Sequence, residues 1–216
     1  INPQRPEIQG LPAYASIGDV PGAIDLAMIG IGAAAVADAL EACIAKGVRS
    51  VVVFSAGFGE TGKAGHAAQA HLTARAAEAG MRLLGPNCLG LASFASGLYA
   101  TFSHSLEFAP PRPGPIAMAS QSGAVGTYAL VKGVRRGLGF SRFVATGNEA
   151  DIDMADCIAW FADDPDTRVI VGYLESCRDG RRLMQALERA RAAGKPVALL
   201  KGGASEAGSG AASSHT

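Results

Sequence analysis

Residues 115–129 read Pro-Ile-Ala-Met-Ala-Ser-Gln-Ser-Gly-Ala-Val-Gly-Thr-Tyr-Ala. The apolar run Ile116–Ala119 predicts a short buried strand, and the small residues after it predict a tight turn that opens a helix. A strand that turns through small residues into a helix directs free backbone N–H groups and the positive end of the helix dipole at one point. Ser120 and Ser122 add hydroxyl donors, and Gly123 lets the backbone come close to a ligand. The stretch therefore predicts an anion site, although turns of this kind also carry Ser and Gly for tightness alone.

Composition indicates an α/β protein with tight turns and Ala-rich helices. Of the 216 residues 49% are hydrophobic and 28 are Gly, whereas only 6% are aromatic. Lys plus Arg and Asp plus Glu both number 19, and no basic run carries interleaved aromatic residues, so we expect no nucleic-acid partner. No apolar stretch approaches the roughly 20 residues of a membrane span, so we expect no membrane partner. The four cysteines form no CxxC pair, which argues against a disulfide or metal framework and favours the cytoplasm.

Strand and helix patterns alternate along the first half of the chain. Apolar and β-branched runs predict strands near 24–31, 50–54 and 82–84, with helices at 33–46 and 67–79 between them. Such alternation is typical of a parallel sheet. Three strands make a thin sheet, so we expect that an initial strand–helix unit is missing from this sequence.

The second half repeats the alternation and predicts an open parallel sheet of the flavodoxin type. Predicted strands at 116–119, 141–145, 168–174 and 196–201 are separated by amphipathic helices. The intervening segment, Ala92–Pro115, is predicted to be a linker with one strand candidate, Leu98–Phe102. Its proline cluster at Pro110–Pro115 marks the expected boundary between domains of residues 1–109 and 112–216.

Ligands of open α/β sheets bind at the carboxyl ends of the strands. The predicted strands of the second half end in polar groups at Ser120–Gly123, Thr146–Glu149, Glu175–Ser176 and Lys201–Gly203. From Gly202 to Thr216, twelve of fifteen residues are Gly, Ala or Ser, a composition that predicts a mobile arm. On this arm His215 is either part of a disordered terminus or a nucleophile that takes up and carries a phosphoryl group. In the second case Glu175 can hold one ring nitrogen and so fix the tautomer.

Five motifs occur in order along the chain. They are Gly85-Pro86-Asn87-Cys88-Leu89-Gly90, Ser120-Gln121-Ser122-Gly123-Ala124, Thr146-Gly147-Asn148-Glu149-Ala150-Asp151, Tyr173-Leu174-Glu175-Ser176 and Ser214-His215-Thr216. Together they resemble the NDP-forming (ADP-forming) acyl-CoA synthetases, relatives of the succinyl-CoA synthetase alpha subunit. The resemblance covers essentially the whole chain. It implies a Rossmann-like CoA-binding domain followed by a flavodoxin-like domain that ends in a mobile phosphohistidine loop.

The resemblance also implies a role for individual residues. His215 would be phosphorylated transiently, and Glu175 would hydrogen-bond it. The phosphate would lie at Ser122, Gly123, Ala124, Gly147 and Asn148. Together with the strand-end rule, the resemblance places coenzyme A near Ile31, Gly32, Ser55, Ala56, Gly57, Asn87 and Cys88.

The implied reaction converts acyl-CoA, ADP and phosphate reversibly into acid, ATP and CoA, through acyl phosphate and phosphohistidine. ADP or ATP with Mg would bind an ATP-grasp domain or subunit outside this chain. We therefore expect an ATP-grasp partner, a small carboxylic acid substrate and a homo- or hetero-oligomer, and we expect the chain alone to be inactive. The sequence does not identify the acyl group.

Three alternatives compete with this interpretation. Gly30-Ile31-Gly32-Ala33-Ala34-Ala35 is a loose GxGxxA, but an NAD site requires an acidic residue at the end of the next strand, and Phe54–Gly57 has none. A regulatory CoA-binding module of a protein lysine acetyltransferase resembles the same family, but several such modules lack the active histidine, so His215 argues against it. A catalytically silent CoA-binding scaffold stays open.

Overall fold

In the computed structural model, which describes residues 1–203, the first half of the chain forms a three-stranded parallel sheet whose strands lie in chain order. Its elements are β3 (Leu26–Ile29), α1 (Val36–Ala45), β4 (Ser50–Val53), α2 (Lys63–Glu78) and β5 (Arg82–Leu84), preceded by the hairpin of β1 (Glu7–Ile8) and β2 (Leu11–Pro12). Val36 and Leu40 of α1 are fully buried against Val51 and Val53 of the sheet. The predicted alternation of strands and helices is thus confirmed.

A six-stranded sheet forms the second half. Its elements are β6 (Gly90–Ser93), β7 (Leu98–Thr101), α3 (Ser105–Phe108), β8 (Pro113–Ser120), α4 (Gly123–Arg135), β9 (Phe140–Ala145), α5 (Met154–Asp163), β10 (Val169–Leu174), α6 (Gly180–Ala192) and β11 (Val197–Lys201). The strands lie in the order β11-β10-β8-β9-β6-β7. The strands β8 to β11 pair in parallel, as predicted. The helix α5 is capped by Asp153, whose side chain accepts a hydrogen bond from the backbone N–H of Asp156.

The predicted linker is wrong in its first part, which lies in a hairpin of the second sheet, whereas its one strand candidate, Leu98–Phe102, is confirmed as β7 (Leu98–Thr101). The strand β6 pairs antiparallel with β9, from Gly90 opposite Ala145 to Ser93 opposite Arg142, and β7 pairs antiparallel with β6. Ala92 is buried in the same core cluster as the two phenylalanines of β9. The second sheet is therefore mixed rather than wholly parallel. The division into residues 1–109 and 112–216 stays a prediction, although the hairpin itself hydrogen-bonds to the second sheet.

Residues 82–87 and 146–152 lie side by side and join the two sheets. Backbone hydrogen bonds run from Ile152 N to Leu83 O (3.1 Å), from Ala150 N to Gly85 O (3.0 Å) and from Asn148 N to Pro86 O (3.0 Å). At one end of this junction the Arg82 guanidinium makes two hydrogen bonds to the Asp151 carboxylate, at 2.8 and 3.1 Å. The ends of β5 and β9 are thereby held next to each other.

Several features that bear on function are absent from the part of the chain that the structure describes. Within residues 1–203, no helix is long and apolar enough to cross a membrane. The same residues contain no group of three or more His, Cys, Asp or Glu side chains that could hold a metal ion. All four cysteines are free thiols. From position 204 onward, the predicted arm that carries His215 lies outside the described residues.

Candidate functional site

The carboxyl ends of β3, β4 and β5 are tied together at one edge of the first sheet. The Ser55 hydroxyl accepts a hydrogen bond from Ile31 N (3.3 Å) and donates one to Ile31 O (2.5 Å). Asn87 N donates to Ser55 O (2.9 Å). Gly32 and Gly57 are exposed, and an added Cβ on Gly32 would meet no atom within 4 Å. The structure therefore brings the predicted CoA residues of three separate strand ends to one edge, with space beside the backbone.

Cys88 differs from the other predicted CoA residues because its side chain lies in the core. The thiol is 4% exposed and lies 3.4 Å from Val53 O. Burial raises its pKa to about 12, so the thiol stays protonated at neutral pH. The Cys88 side chain is therefore a packing group. Any contact that we propose between Cys88 and CoA is made by the backbone.

The turn into α4 has the geometry that the sequence predicts for an anion site. The Ser122 hydroxyl caps the helix by accepting a hydrogen bond from Val125 N (3.3 Å), and the Ser120 hydroxyl donates to Ser122 O (2.6 Å). Gly123 and Ala124 follow in the first turn, where N–H groups have no acceptor inside the helix. Both hydroxyls thus shape the turn, and the backbone N–H groups are the donors available for an anion.

Gly123 also has a packing role that the sequence did not indicate. An added Cβ at this position would lie 2.5 Å from Leu89 Cγ and 2.7 Å from Leu89 Cδ1. Leu89 belongs to the segment between the two sheets, immediately after Asn87 and Cys88. The absence of a side chain at position 123 therefore lets this segment pack against the start of α4.

The loop after β9 makes a second close contact with the same segment. Gly147 has a φ of +61°, and an added Cβ would lie 2.4 Å from Asn87 O. The Asn148 side chain donates to Glu60 Oε2 (2.5 Å) and Gln69 Oε1 (3.0 Å). It also accepts a hydrogen bond from Asn87 Nδ2 (3.2 Å). The structure thus places the predicted phosphate residue Asn148 between the two halves of the chain, with its side-chain donors engaged by α2 and the segment before it.

Glu60 is part of this contact and was not predicted from the sequence. Its carboxylate accepts hydrogen bonds from the backbone N–H groups of Gly57 and Phe58 as well as from Asn148. Partial burial acts to raise the pKa of Glu60, but the hydrogen bonds together have the larger and opposite effect. The pKa of Glu60 is therefore lowered from its ordinary value. A single acidic side chain therefore connects the predicted CoA edge to the loop after β9.

Gln121 and Glu149 form a buried network at the carboxyl edge of the second sheet; they are 2% and 3% exposed. Gln121 Nε2 donates to Glu149 Oε2 (2.8 Å) and to Ser176 O (2.9 Å). Gln121 Oε1 accepts from Glu175 N (2.5 Å) and Ser176 N (2.9 Å). One side chain thus links the ends of β8, β9 and β10. Both residues stand in quoted motifs, and their position at neighbouring strand ends was the signal that could have identified them.

Glu149 is a carboxylic acid in an unusual setting. The residue has a φ of +54°, and its second carboxylate oxygen accepts a hydrogen bond from the Thr146 hydroxyl (2.8 Å). Burial raises its pKa to about 7, even though the hydrogen bonds from Gln121 and Thr146 lower it and nearby Asp153 raises it further. The Arg178 guanidinium donates to the backbone oxygen of Glu149. The group can therefore exist in both protonation states near neutral pH.

Glu175 lies at the end of β10, as predicted. Besides the Gln121 bond to its N–H, its backbone oxygen accepts a hydrogen bond from Lys201 Nζ (2.7 Å). Burial, and then the neighbouring Glu175 carboxylate, raise the pKa of Tyr173. The predicted partner His215 lies outside the described residues.

A cleft of about 830 Å³ opens between α2 and this edge of the second sheet. His66, Gln69 and Thr73 line it from α2, and Gln121 and Arg178 line it from the second sheet. Its volume suits a small-molecule ligand, and the Arg178 guanidinium is a group suited to bind oxygen atoms. The cleft lies where the two predicted binding edges approach each other.

Comparison with known proteins agrees with a CoA-binding first half and a flavodoxin-like second half. Residues 1–93 match the model of a CoA binding domain, and residues 113–216 match that of the succinyl-CoA ligase like flavodoxin domain. The chain is 40% identical over 216 residues to the alpha subunit of ADP-forming acetate–CoA ligase II from Pyrococcus furiosus, covering 100% of this chain and 46% of the relative. It is 41% identical over 216 residues to ADP-forming acetate–CoA ligase I from Archaeoglobus fulgidus, covering 100% of this chain and 31% of the relative.

A solved structure shows the same likeness in three dimensions. The dinucleotide-forming acetyl-coenzyme A synthetase 1 of Candidatus Korarchaeum cryptofilum, solved with phosphate and ADP, superposes with a TM-score of 0.89 at 36% identity. The match covers 100% of this chain and 45% of that chain. The chain thus spans less than half the length of each of these relatives.

Proposed function

The chain belongs to the ADP-forming acyl-CoA synthetase family, and on that premise we propose that it is the CoA-binding and phosphohistidine portion of such an enzyme. The whole enzyme would convert acyl-CoA, ADP and phosphate reversibly into acid, ATP and CoA. The alternative of a regulatory module of a protein lysine acetyltransferase is not favoured, since the relatives are ADP-forming ligases.

One observation carries the proposal: the predicted CoA edge and the predicted phosphate edge meet at the segment Gly85–Gly90. Asn87 at the end of β5 contacts Asn148 and the backbone of Gly147, and Leu89 two residues later packs on Gly123. A thioester held at the first edge would therefore lie close to an anion at the second. Phosphoryl chemistry on an acyl-CoA requires that proximity.

The first step of the proposed reaction is an attack by phosphate on the thioester carbonyl. A phosphate oxygen forms the new bond to carbon, the C–S bond breaks, and CoA leaves as the thiol after taking up a proton. The N–H groups of Gly123 and Ala124 at the start of α4 would hold the phosphate, because a helix N-terminus stabilises negative charge. Acyl phosphate is the product of this step.

In the second step the phosphoryl group moves to His215. The P–O bond to the acyl group breaks, a P–N bond forms, and the carboxylic acid leaves as its anion. Glu175 at the end of β10 would accept a hydrogen bond from the other ring nitrogen and so fix the reactive tautomer. A phosphohistidine carries close to two negative charges, which again favours the start of α4.

In the last step the phosphoryl group is passed from His215 to ADP with Mg. We assign this step to an ATP-grasp domain or subunit outside this chain, within a homo- or hetero-oligomer. The acid substrate in this proposal is a small carboxylic acid. A cytoplasmic location completes the proposal, in agreement with free thiols at all four cysteines.

The experiment is phosphorylation of the full-length protein with labelled ATP and Mg. We expect acid-labile, base-stable label on His215, and we expect His215→Asn to lose both the label and acyl-CoA formation. Glu175→Gln should slow labelling on the order of a hundredfold while the fold persists. His104→Asn, at a side chain that is 84% exposed, is the matched control and should label normally. Label on another residue, or full activity in His215→Asn, would refute the proposal.

A further inference from the structure

The Gln121 side chain uses every hydrogen-bonding position that a glutamine has. Its two N–H groups donate to Glu149 and to Ser176 O, and the two lone pairs of its oxygen accept from Glu175 N and Ser176 N. Rotating the amide by a half turn would set its NH₂ group against two backbone N–H groups. The orientation of this buried side chain is therefore fixed by its neighbours.

Gln121 also continues the sheet beyond the point where the strands stop pairing. The parallel ladder of β8 and β10 ends with Tyr173 opposite Ser120, and Gln121 N donates to Tyr173 O. Past that point the Gln121 side-chain oxygen, instead of a strand backbone, accepts the hydrogen bonds from the next two backbone N–H groups, those of Glu175 and Ser176. Together with Lys201 Nζ, which donates to Glu175 O, it holds the backbone of the residue that carries the Glu175 carboxylate.

Glu149 in turn holds Gln121. Its carboxylate accepts from Gln121 Nε2 and from the Thr146 hydroxyl, and the positive φ of the residue turns it back toward the strand end. Thr146 is itself fully buried, and its hydroxyl oxygen lies 3.3 Å from Ser120 O. Glu149 is thus anchored to β9 and β8 at the same time.

We propose that Gln121 and Glu149 are a pair of positioning residues that fix the backbone at Glu175 and Ser176 and thereby place the Glu175 carboxylate for phosphoryl transfer. This inference rests on the proposed function. It assigns no chemical step to the pair, because neither residue is required to touch the reacting phosphate. The resemblance and the strand-end rule gave neither residue a role.

The test is an exchange of the two side chains in the full-length protein. Gln121→Glu keeps both acceptor positions for the N–H groups of Glu175 and Ser176 but sets two carboxylates against each other. In the double variant Gln121→Glu/Glu149→Gln, the new amide can donate to the new carboxylate, and only the bond to Ser176 O is lost. We expect labelling of His215 to slow on the order of tenfold to a hundredfold in Gln121→Glu and to return to within about threefold of the parent in the exchange.

A double-mutant cycle with Glu175→Gln separates positioning from a general effect on structure. If Gln121 acts through Glu175, Gln121→Glu should slow labelling little further in the Glu175→Gln background. Asp164→Asn is the matched control, since Asp164 is a buried carboxylate, 4% exposed, that precedes β10 and bonds Thr167 and Arg142. It should leave the labelling rate unchanged. Multiplying effects in the cycle, or no recovery in the exchange variant, would overturn the proposal.

Hydrogen exchange at the Glu175 and Ser176 amides gives a second measurement that does not depend on phosphorylation. We expect slow exchange in the parent and in the exchange variant, and fast exchange in Gln121→Leu. If the parent is never labelled on His215 but this exchange pattern holds, the proposed function fails while the positioning pair stands. Equal exchange rates in Gln121→Leu and the parent would remove the positioning role itself.

Discussion

The side-chain amide of Asn87 donates a hydrogen bond of 3.2 Å to the side-chain oxygen of Asn148. This contact joins the carboxyl edge of the first sheet to the loop that follows β9. Gly147 lies beside it with its backbone against Asn87 O, a fit that no side chain would permit. The place where the two predicted binding edges meet is therefore built by direct contact between two short loops.

Gly147→Ala should destabilise the protein more than an alanine at a glycine that differs only in its surroundings. Gly147 and Gly137 both have positive φ, +61° and +82°, so each substitution carries the strain of a left-handed residue, about 1–2 kcal/mol. At Gly137 an added Cβ meets nothing within 4 Å, whereas at Gly147 it meets the backbone oxygens of Pro86 and Asn87. We expect Gly147→Ala to cost about 1–3 kcal/mol more than Gly137→Ala in free energy of unfolding. Urea denaturation measures the difference, and equal losses would contradict the close contact.

Glu149 should make the stability of the protein fall as the pH rises toward neutrality. Its pKa is raised to about 7 in the folded state, mainly by burial, and is about 4.3 in the unfolded state. Between these values the folded state binds the proton and the unfolded state does not. The contribution of Glu149 to the free energy of unfolding is therefore greatest below about pH 4.3 and is lost as the pH rises through 7. Relative to Glu149→Gln, the parent should lose on the order of 3 kcal/mol of unfolding free energy across this window.

Denaturation of the parent and of Glu149→Gln at several pH values tests this pH dependence. A constant difference would show that the pKa of Glu149 is ordinary, and Glu188→Gln, at an exposed position, serves as the flat control.

Periodicity along the sequence predicts the alternating strands and helices because it reports which face of each element is buried. The same reasoning predicts the turn at Ser122 and the strand-end position of Glu175, since both follow from local chemistry and the direction of parallel strands. Strand β6 escaped it because its antiparallel partner, β9, follows about fifty residues later. Glu60 and the partners of Gln121 escaped for the same reason. A hydrogen bond across 88 positions, such as that between Asn148 and Glu60, leaves no local pattern.

A negative charge at Gly32 should weaken CoA binding without unfolding the protein. An added side chain there meets nothing within 4 Å, so Gly32→Asp should change the free energy of unfolding by less than about 0.5 kcal/mol. If the phosphates of CoA lie at this edge, repulsion should lower the affinity at least about tenfold. Calorimetry with CoA on the full-length protein is the measurement. Gly18→Asp is the control, because Gly18 O contacts Lys46, which follows α1 at the opposite edge of the sheet. Unchanged CoA affinity in Gly32→Asp would remove Gly32 from the predicted site.

Gly123 has two reasons to be glycine, and a pair of variants separates them. An added Cβ would lie 2.5 Å from Leu89 Cγ, so Gly123→Ala should lower the free energy of unfolding by about 1–3 kcal/mol through displaced packing. Adding Leu89→Ala removes the atoms in conflict, and the double variant should therefore lose less stability than the two single variants together.

Phosphate binding should behave differently. If the anion approaches the N–H groups at the start of α4, the methyl group of Gly123→Ala obstructs it whether or not Leu89 is present. We thus expect Leu89→Ala alone to bind phosphate normally, and Gly123→Ala to bind weakly both alone and combined with Leu89→Ala. Phosphate titration followed by thermal unfolding of the full-length protein reports both quantities. Restored phosphate binding in the double variant would mean that Gly123 serves the contact with Leu89 and that the anion lies elsewhere.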